Sequence, residues 1–120
     1  NEDCQFILGD MRQWESLVDR DYDLAMFIDT LEHLPKPDAF DLIARCQERF
    51  SKILLFLPLG PHIQGPCDNN ELQCHLSHWN ELDVESMDFS GTVCPIDPED
   101  GFSSDSDVRL KMSFLTWVKP

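Results

Sequence analysis

The stretch LAMFIDTLEHLPKPDAFDLIARCQERFSKILLFLP, residues 24–58, carries the strongest structural pattern in the chain. It opens with the apolar run Leu24–Ile28 and closes with a second apolar run, residues 53–57, followed by Pro58. Short runs that are apolar on both faces suit central parallel strands and are too short for buried helices. The stretch therefore predicts a strand, a crossover helix and a second parallel strand, joined with the usual right-handed connection.

The predicted crossover helix has one apolar face. Ala39, Ile43, Cys46 and Phe50 recur at the i, i+4, i+7, i+11 spacing of residues that share one side of a helix. Asp38 directly precedes them and is a residue type that caps helix N-termini. The spacing thus predicts a helix that begins after Asp38 and packs this face against the sheet.

Shorter elements are expected before and after this unit. Residues 6–8 are apolar and predict a short strand that ends at Gly9. Residues 77–85 predict a helix with Ser77 as its cap and with Trp79 and Leu82 facing inward. The whole chain is then an α/β domain with helices on both faces of a partly parallel sheet.

The C-terminal third predicts an antiparallel hairpin. Residues 87–89 and 92–94 form a broken strand candidate, and the next polar stretch is acidic and rich in turn residues. Apolar side chains then alternate with polar ones, the period-2 pattern of a half-exposed strand that continues to Trp117. Two strands joined without a helix pair antiparallel. The alternating positions are Val108, Leu110, Met112 and Phe114.

Composition limits the function classes. The 120 residues carry 9 Lys and Arg against 23 Asp and Glu, a net charge of −14. This charge repels a phosphate backbone, so no nucleic-acid partner is expected. No apolar run approaches the roughly 20 residues that span a bilayer, so no membrane partner is expected either. Five cysteines without a disulfide-scaffold spacing favour a cytoplasmic location.

Polar turns follow the three predicted strands. Gly9, Asp10 and Met11 follow the first, residues 29–33 follow the second, and residues 58–62 follow the third. Ligands of open α/β sheets bind outside the carboxyl ends of the parallel strands, so this edge is the expected site. Asp10 could accept a hydrogen bond from an amine there, and it could equally cap a helix.

These turns, with the segment HLSHW at residues 75–79, resemble the middle and end of a class I S-adenosylmethionine-dependent methyltransferase domain. The resemblance covers nearly the whole chain and implies methyl transfer to a small-molecule acceptor with S-adenosylmethionine as the cofactor. The residues that it places at the cofactor are Gly9, Asp10, Met11, Asp29, Thr30 and Leu31. The residues that it places at the acceptor are His33, Glu71 and His78.

The chain also departs from this family. No G-x-G pattern occurs in the sequence, so the glycine-rich loop that approaches the cofactor is missing. The resemblance implies a strand order of 3-2-1-4-5-7-6, of which this chain would supply strands 3 to 7 as one domain, the C-terminal portion of the family's domain. Cofactor binding is then expected to be weak or absent.

In the implied strand order Leu24–Ile28 is strand 4, whose neighbour is strand 1. Because the chain would not supply strand 1, Leu24–Ile28 would be an apolar sheet edge, and such an edge recruits another strand. Two outcomes are open. Residues 6–8 pair with it, or two copies of the chain pair edge to edge and form a homo-oligomer.

Three other interpretations remain open. Asp29, Glu32 and His33 could hold a divalent metal with His75 or His78, but helix capping and pocket lining are favoured, so no metal is expected. The cysteines at 67 and 74 could bind zinc with these two histidines, but their spacing is not that of common zinc sites, so separate roles in the pocket and the core are favoured. The chain could also be a non-catalytic remnant or interaction module that binds no cofactor.

Overall fold

The computed structural model describes residues 4–95 and 111–120. Within them, four strands form one mixed sheet in the order β1-β2-β4-β3. Strands β1 and β2 are parallel, whereas β4 is antiparallel to both β2 and β3. The strands are β1 (Leu24–Ile28), β2 (Lys52–Leu59), β3 (Ser90–Pro95) and β4 (Lys111–Val118). The α-helices are α1 (Trp14–Leu17), α2 (Lys36–Arg49) and α3 (Glu81–Ser86), and 3-10 turns cover Met11–Gln13, Leu31–His33 and Glu71–Gln73.

The predicted strand, helix and parallel strand are confirmed. Leu24 pairs with Lys52 and Ile28 pairs with Phe56 in a parallel ladder, with α2 between the two strands in sequence. The start of α2 was predicted wrongly, because the helix begins at Lys36 with Pro35 as its N-cap. Pro37 fits the second helical position, where its missing N–H would have no intrahelical partner. Asp38 therefore lies inside the first turn and not at the cap.

One face of the sheet, which we call the inner face, carries the core. Alternate residues of β2 are buried on it, and paired residues of the neighbouring strands lie beside them. The buried residues of α2 belong to the same cluster, as does Val84 of α3. The predicted inward face of α2 is confirmed, since Ala39, Ile43, Cys46 and Phe50 are all buried.

The opposite face, which we call the outer face, has no helix on it in the described part of the chain. Its central row pairs Ile28 with Phe56 and Phe56 with Phe114. Ile28 is 53% exposed and Phe114 is 51% exposed. The prediction of helices on both faces is therefore wrong for the described residues, which form two layers.

The open edge of β1 is also unpaired by any described residue. Residues 6–8 form no strand, and Phe6 and Leu8 are each 89% exposed. The predicted strand at 6–8 and its pairing with β1 are wrong. A three-residue apolar run has too few ladder bonds to offset the entropy of ordering it unless a neighbouring element covers it.

The short helix before β3 starts later than predicted. Asn80, not Ser77, is the N-cap of α3, and it exchanges capping-box hydrogen bonds with Asp83. Trp79 is buried as predicted, but Leu82 is 74% exposed, so its inward placement is wrong. The capping box fixes the helix start because it satisfies two backbone N–H groups at once.

The C-terminal hairpin pairs antiparallel as predicted, with corrections in detail. Residues 87 and 88 form a turn, residue 89 is in neither a turn nor a strand, and β3 begins at Ser90. The alternation in β4 is confirmed, but its buried side carries Ser113, Leu115 and Trp117, whereas Phe114 lies on the outer face. Val108 and Leu110 lie outside the described residues. Within those residues, none of the helices has the length and apolarity to cross a bilayer.

Candidate functional site

The turn that follows β1 begins the candidate site. The Asp29 amide donates to the Phe56 carbonyl at 3.0 Å, which continues the pairing with β2. Asp29 itself has φ 45°, a left-handed conformation that Asp tolerates better than most residues. The chain then enters the 3-10 turn Leu31–His33 at the carboxyl ends of the two parallel strands.

Residues 60–80, which follow β2 and which we call the crossing segment, cross the same edge and are fixed there by backbone hydrogen bonds. The Gly60 amide donates to the Trp79 carbonyl at 2.7 Å. The amides of Leu76 and Ser77 donate to the Glu32 carbonyl at 2.7 and 3.1 Å. Because these bonds fix the backbone on both sides, His75 is held next to the turn that carries Glu32.

Glu32 is an unusual acidic residue for its position. Its side chain is 2% exposed, and its Oε2 atom has no hydrogen-bond partner among the described residues. Burial raises the pKa of its carboxyl group, and the nearby negative charge of Asp29 adds to this effect. The imidazoles of His33 and His75 act in the opposite direction. A buried carboxylate oxygen without a hydrogen-bond partner is costly, so Glu32 is a candidate functional group.

Two histidines lie beside Glu32 with fixed ring orientations. The Nδ1 atom of His33 is 3.1 Å from the Cys74 carbonyl, and that of His75 is 2.7 Å from the His62 carbonyl. A carbonyl oxygen only accepts, so each Nδ1 carries the hydrogen and each Nε2 is left as a lone-pair donor to a proton or a metal.

The three side chains form one cluster, which we call the EHH cluster (Glu32, His33 and His75). One potential ligand atom from each lies within 4.8 Å of the others. The rings of His33 and His75 meet edge to face with centroids 5.0 Å apart. The ring of His62 contacts His75 at the same centroid distance. Burial lowers the pKa of His62, and the charge of His75 lowers it further.

The predicted acceptor residues are brought together only in part. His33 lies in the EHH cluster. His78 is exposed on the crossing segment, and Glu71 is exposed in the 3-10 turn Glu71–Gln73. The sequence prediction gave no role to His62 and considered His75 only as a metal ligand. Their adjacency depends on the backbone bonds between the two loops, which no local pattern encodes.

Among the predicted cofactor residues, Asp10 has a structural role. Its carboxylate accepts from the Arg12 backbone amide at 2.9 Å and so caps the turn Met11–Gln13. The same carboxylate pairs with the Arg12 guanidinium at 2.6 Å, and these bonds lower the pKa of Asp10 to about 2. The capping interpretation of Asp10 is confirmed. Arg12 also reaches Asp38 at 2.9 Å, which places Gly9 and Met11 near the first turn of α2.

No protein-family model and no curated protein matches this chain.

The other predicted cofactor residues lie in the turn after β1. The Thr30 hydroxyl donates to the Ile28 carbonyl at 2.7 Å, and Leu31 is 1% exposed within the core. Met11 lines an open apolar cavity of about 250 Å³ between α2 and β1. Trp14 and Phe27 line it too, and Trp14 also packs in the core. None of the EHH residues lines this cavity.

Proposed function

We propose that this chain is the C-terminal portion of an S-adenosylmethionine-dependent methyltransferase domain that acts on a small-molecule acceptor. The observation that carries the proposal is the strand order β1-β2-β4-β3 with β4 antiparallel. If β1, β2, β3 and β4 correspond to the family's strands 4, 5, 6 and 7, this order is the 4-5-7-6 part of the order that the resemblance implies. Four strands can be ordered in many ways, so the match supports the proposal more than the presence of an α/β sheet does.

The position of the polar turns gives a second line of support. Asp29 and Thr30 follow β1, and the crossing segment brings His75 to the same carboxyl edge of the sheet. Open α/β sheets bind their ligands at this edge. The proposed cleft therefore has the turn at 29–31 as its floor, Gly9 and Met11 at one side and the histidines at the other.

In this mechanism S-adenosylmethionine supplies an electrophilic methyl group that an acceptor oxygen, nitrogen or carbon attacks in line. Alignment of the acceptor contributes most of the acceleration. His33 contacts the acceptor with a ring orientation that the Cys74 carbonyl fixes through Nδ1. Methyl transfer needs alignment of the acceptor more than a dedicated base. Glu71 and His78, exposed on the crossing segment, contact the remainder of the acceptor.

Only part of a cofactor site is present in these residues. The sequence contains no G-x-G pattern, and the Asp10 carboxylate is already paired with Arg12. On the side of the proposed cleft that would bind adenine, Met11 is an apolar residue that lines the cavity between α2 and β1. We therefore expect this chain alone to bind the adenosine part of S-adenosylmethionine with a Kd of about 1 mM or weaker.

NMR titration of the ¹⁵N-labelled chain tests this expectation. S-adenosylhomocysteine should shift the amides of Met11 and of Asp29, Thr30 and Leu31, and adenosine should compete with it. Methionine alone should produce no shifts, because the loop that would bind its amino-acid portion is missing. No shifts with S-adenosylhomocysteine at 10 times the expected Kd would favour the alternative function described next.

The alternative is a non-catalytic interaction module with the same fold. The apolar row on the outer face favours it, with Ile28 and Phe114 exposed on either side of the half-buried Phe56. Monomeric proteins rarely leave a continuous apolar sheet face uncovered. Pull-down with the chain and with its Phe114→Asp variant tests this function. A partner that is retained by the first and lost by the second supports it.

We also propose that copies of the chain associate through the open edge of β1. The Asp29 amide points to β2, so the alternate amides of Met26 and Ile28 point away from it and are available to another strand. Light scattering should show a concentration-dependent dimer that Met26→Lys reduces, because an edge lysine opposes strand pairing. Ala44→Lys, at an exposed neutral site on α2, is the charge-matched control.

A cytoplasmic location is proposed on the state of the thiols. All five cysteines are free, and Cys4, Cys67 and Cys94 are exposed. Exposed free thiols persist in reducing compartments and are oxidised elsewhere.

A further inference from the structure

We propose that Glu32, His33 and His75 bind a divalent transition-metal ion of the zinc class. The proposal rests on the geometry of the EHH cluster and does not depend on methyl transfer. Its first observation is proximity, since one potential ligand atom from each residue lies within 4.8 Å of the others. Tetrahedral bonds of zinc-ligand length would place these atoms about 3.4 Å apart. The ligand atoms would have to move closer by up to about 1.4 Å, through rotation of the side chains, when the ion binds.

The second observation is how the two imidazoles are held. His33 and His75 each donate from Nδ1 to a backbone carbonyl, of Cys74 and His62 respectively. Histidine ligands of metal ions typically donate their other ring N–H to such an acceptor, which fixes the ring orientation and makes the free nitrogen more basic. Both rings therefore already have the tautomer that a metal requires, without a water or a side chain to set it.

The third observation is the carboxylate. Glu32 is 2% exposed, and its Oε2 has no hydrogen-bond partner among the described residues. An isolated carboxylate in the interior is strongly unfavourable, and a cation bound to it removes most of that cost. The arginine and lysine ion pairs in the described structure all involve other acidic residues, so none of these pairs neutralises Glu32.

The ligand set determines which metals fit. Two imidazole nitrogens with one carboxylate oxygen suit Zn²⁺, Co²⁺ or Fe²⁺, whereas Mg²⁺ and Ca²⁺ prefer sites made only of oxygen. Three protein ligands leave at least one coordination position for a water or for an oxygen or nitrogen of a bound molecule. The site is therefore of the open kind that activates or orients a ligand, not the closed kind that only stabilises a fold.

Metal titration of the full 120-residue chain tests the proposal. After treatment with a chelator, calorimetry with ZnCl₂ should give one ion per chain, and the Tm should rise with zinc concentration because only the folded state binds. CoCl₂ should give visible absorption bands of nitrogen and oxygen ligation. MgCl₂ at the same concentration should change neither the heat nor the Tm.

Three variants distinguish a metal site from a merely structural cluster. Glu32→Gln and His75→Gln should each weaken zinc binding by roughly 100-fold or more, beyond the loss caused by removing a supporting contact. His78→Gln is the matched control, since His78 is exposed and outside the cluster, and it should keep wild-type affinity. Glu32→Gln should also keep or raise the Tm of the metal-free chain, because the amide removes a buried charge. Loss of zinc binding in that variant then cannot be attributed to unfolding.

Two results would overturn the proposal. One is the absence of saturable zinc binding to a chain that is folded by circular dichroism. The other is zinc binding that survives Glu32→Gln and His75→Gln and shows sulfur-to-cobalt charge-transfer bands, because cysteines would then be the ligands. No S-adenosylmethionine is present in these measurements, so their failure and the failure of the proposed methyl transfer are independent.

Discussion

The Glu32 carbonyl oxygen accepts a hydrogen bond from the Leu76 amide at 2.7 Å, and this bond joins the loop after β1 to the loop after β2. The Leu76 side chain is 59% exposed and takes no part in it. The two loops are therefore joined through the backbone, and the side chains on both sides are free to carry chemistry. His75 reaches the cluster because its neighbour is fixed in this way.

Trp79 is predicted to be the largest single stabilising side chain of the crossing segment. It is 1% exposed, and its Nε1 donates to the Ser77 hydroxyl at 2.9 Å. Its ring packs against the Phe40 ring with the two centroids 5.3 Å apart. Trp79→Ala should lower the free energy of unfolding by about 3–5 kcal/mol, measured by urea denaturation. Trp79→Phe keeps most of the packing and should cost less. Equal losses in the two variants would contradict a packing role.

Gly91 is predicted to be intolerant of any side chain. A Cβ atom there would lie 2.2 Å from the Phe114 carbonyl oxygen and 3.0 Å from the Leu115 Cα, both backbone atoms of the paired strand β4. Gly91→Ala should therefore destabilise the chain by about 1–3 kcal/mol. Gly65→Ala is the matched control, because nothing lies within 4 Å of its added Cβ, and its Tm should be unchanged. An unchanged Tm in both variants would show that β3 and β4 pair differently.

Cys46 is predicted to be the least reactive thiol. Burial raises its pKa to about 12, so the reactive thiolate is nearly absent at pH 8. Iodoacetamide at pH 8 should label the exposed Cys4, Cys67 and Cys94 first, as measured by mass spectrometry of peptides. In denaturant Cys46 should react at the same rate as the others. Early labelling of Cys46 in the native chain would mean that this face of α2 is not packed against the sheet.

Phe114 and Leu115 are adjacent in β4 but lie on opposite faces of the sheet. Phe114 is 51% exposed on the outer face, whereas Leu115 is 3% exposed in the core. Phe114→Thr should change the free energy of unfolding by less than about 0.5 kcal/mol and should reduce binding of a hydrophobic dye.

Leu115→Thr provides the contrasting measurement. It should cost about 2–4 kcal/mol, because it removes core packing and buries a hydroxyl. If Phe114→Thr proved the more destabilising of the two, a further layer would have to cover the outer face.

The central strand–helix–strand unit of this protein could be predicted from local sequence patterns. Apolar runs without polar alternation defined β1 and β2, and the spacing of Ala39, Ile43 and Cys46 defined the buried face of α2. These are local patterns, because the solvent exposure of each position within an element repeats with the period of that element. Element starts were less predictable, as at α3, where the Asn80 capping box determined the start and Ser77 did not.

Which polar residues meet depends on contacts between distant elements. The turn at 29–33 was predicted from its place after a strand, and His75 or His78 was considered as the partner of Glu32 and His33. Backbone bonds between distant loops place His75, and not His78, in the cluster. The uncovered outer face was equally invisible, since an apolar residue looks the same in sequence whether or not another layer covers it. Burial and adjacency arise from contacts between elements, and one-dimensional spacing does not encode them.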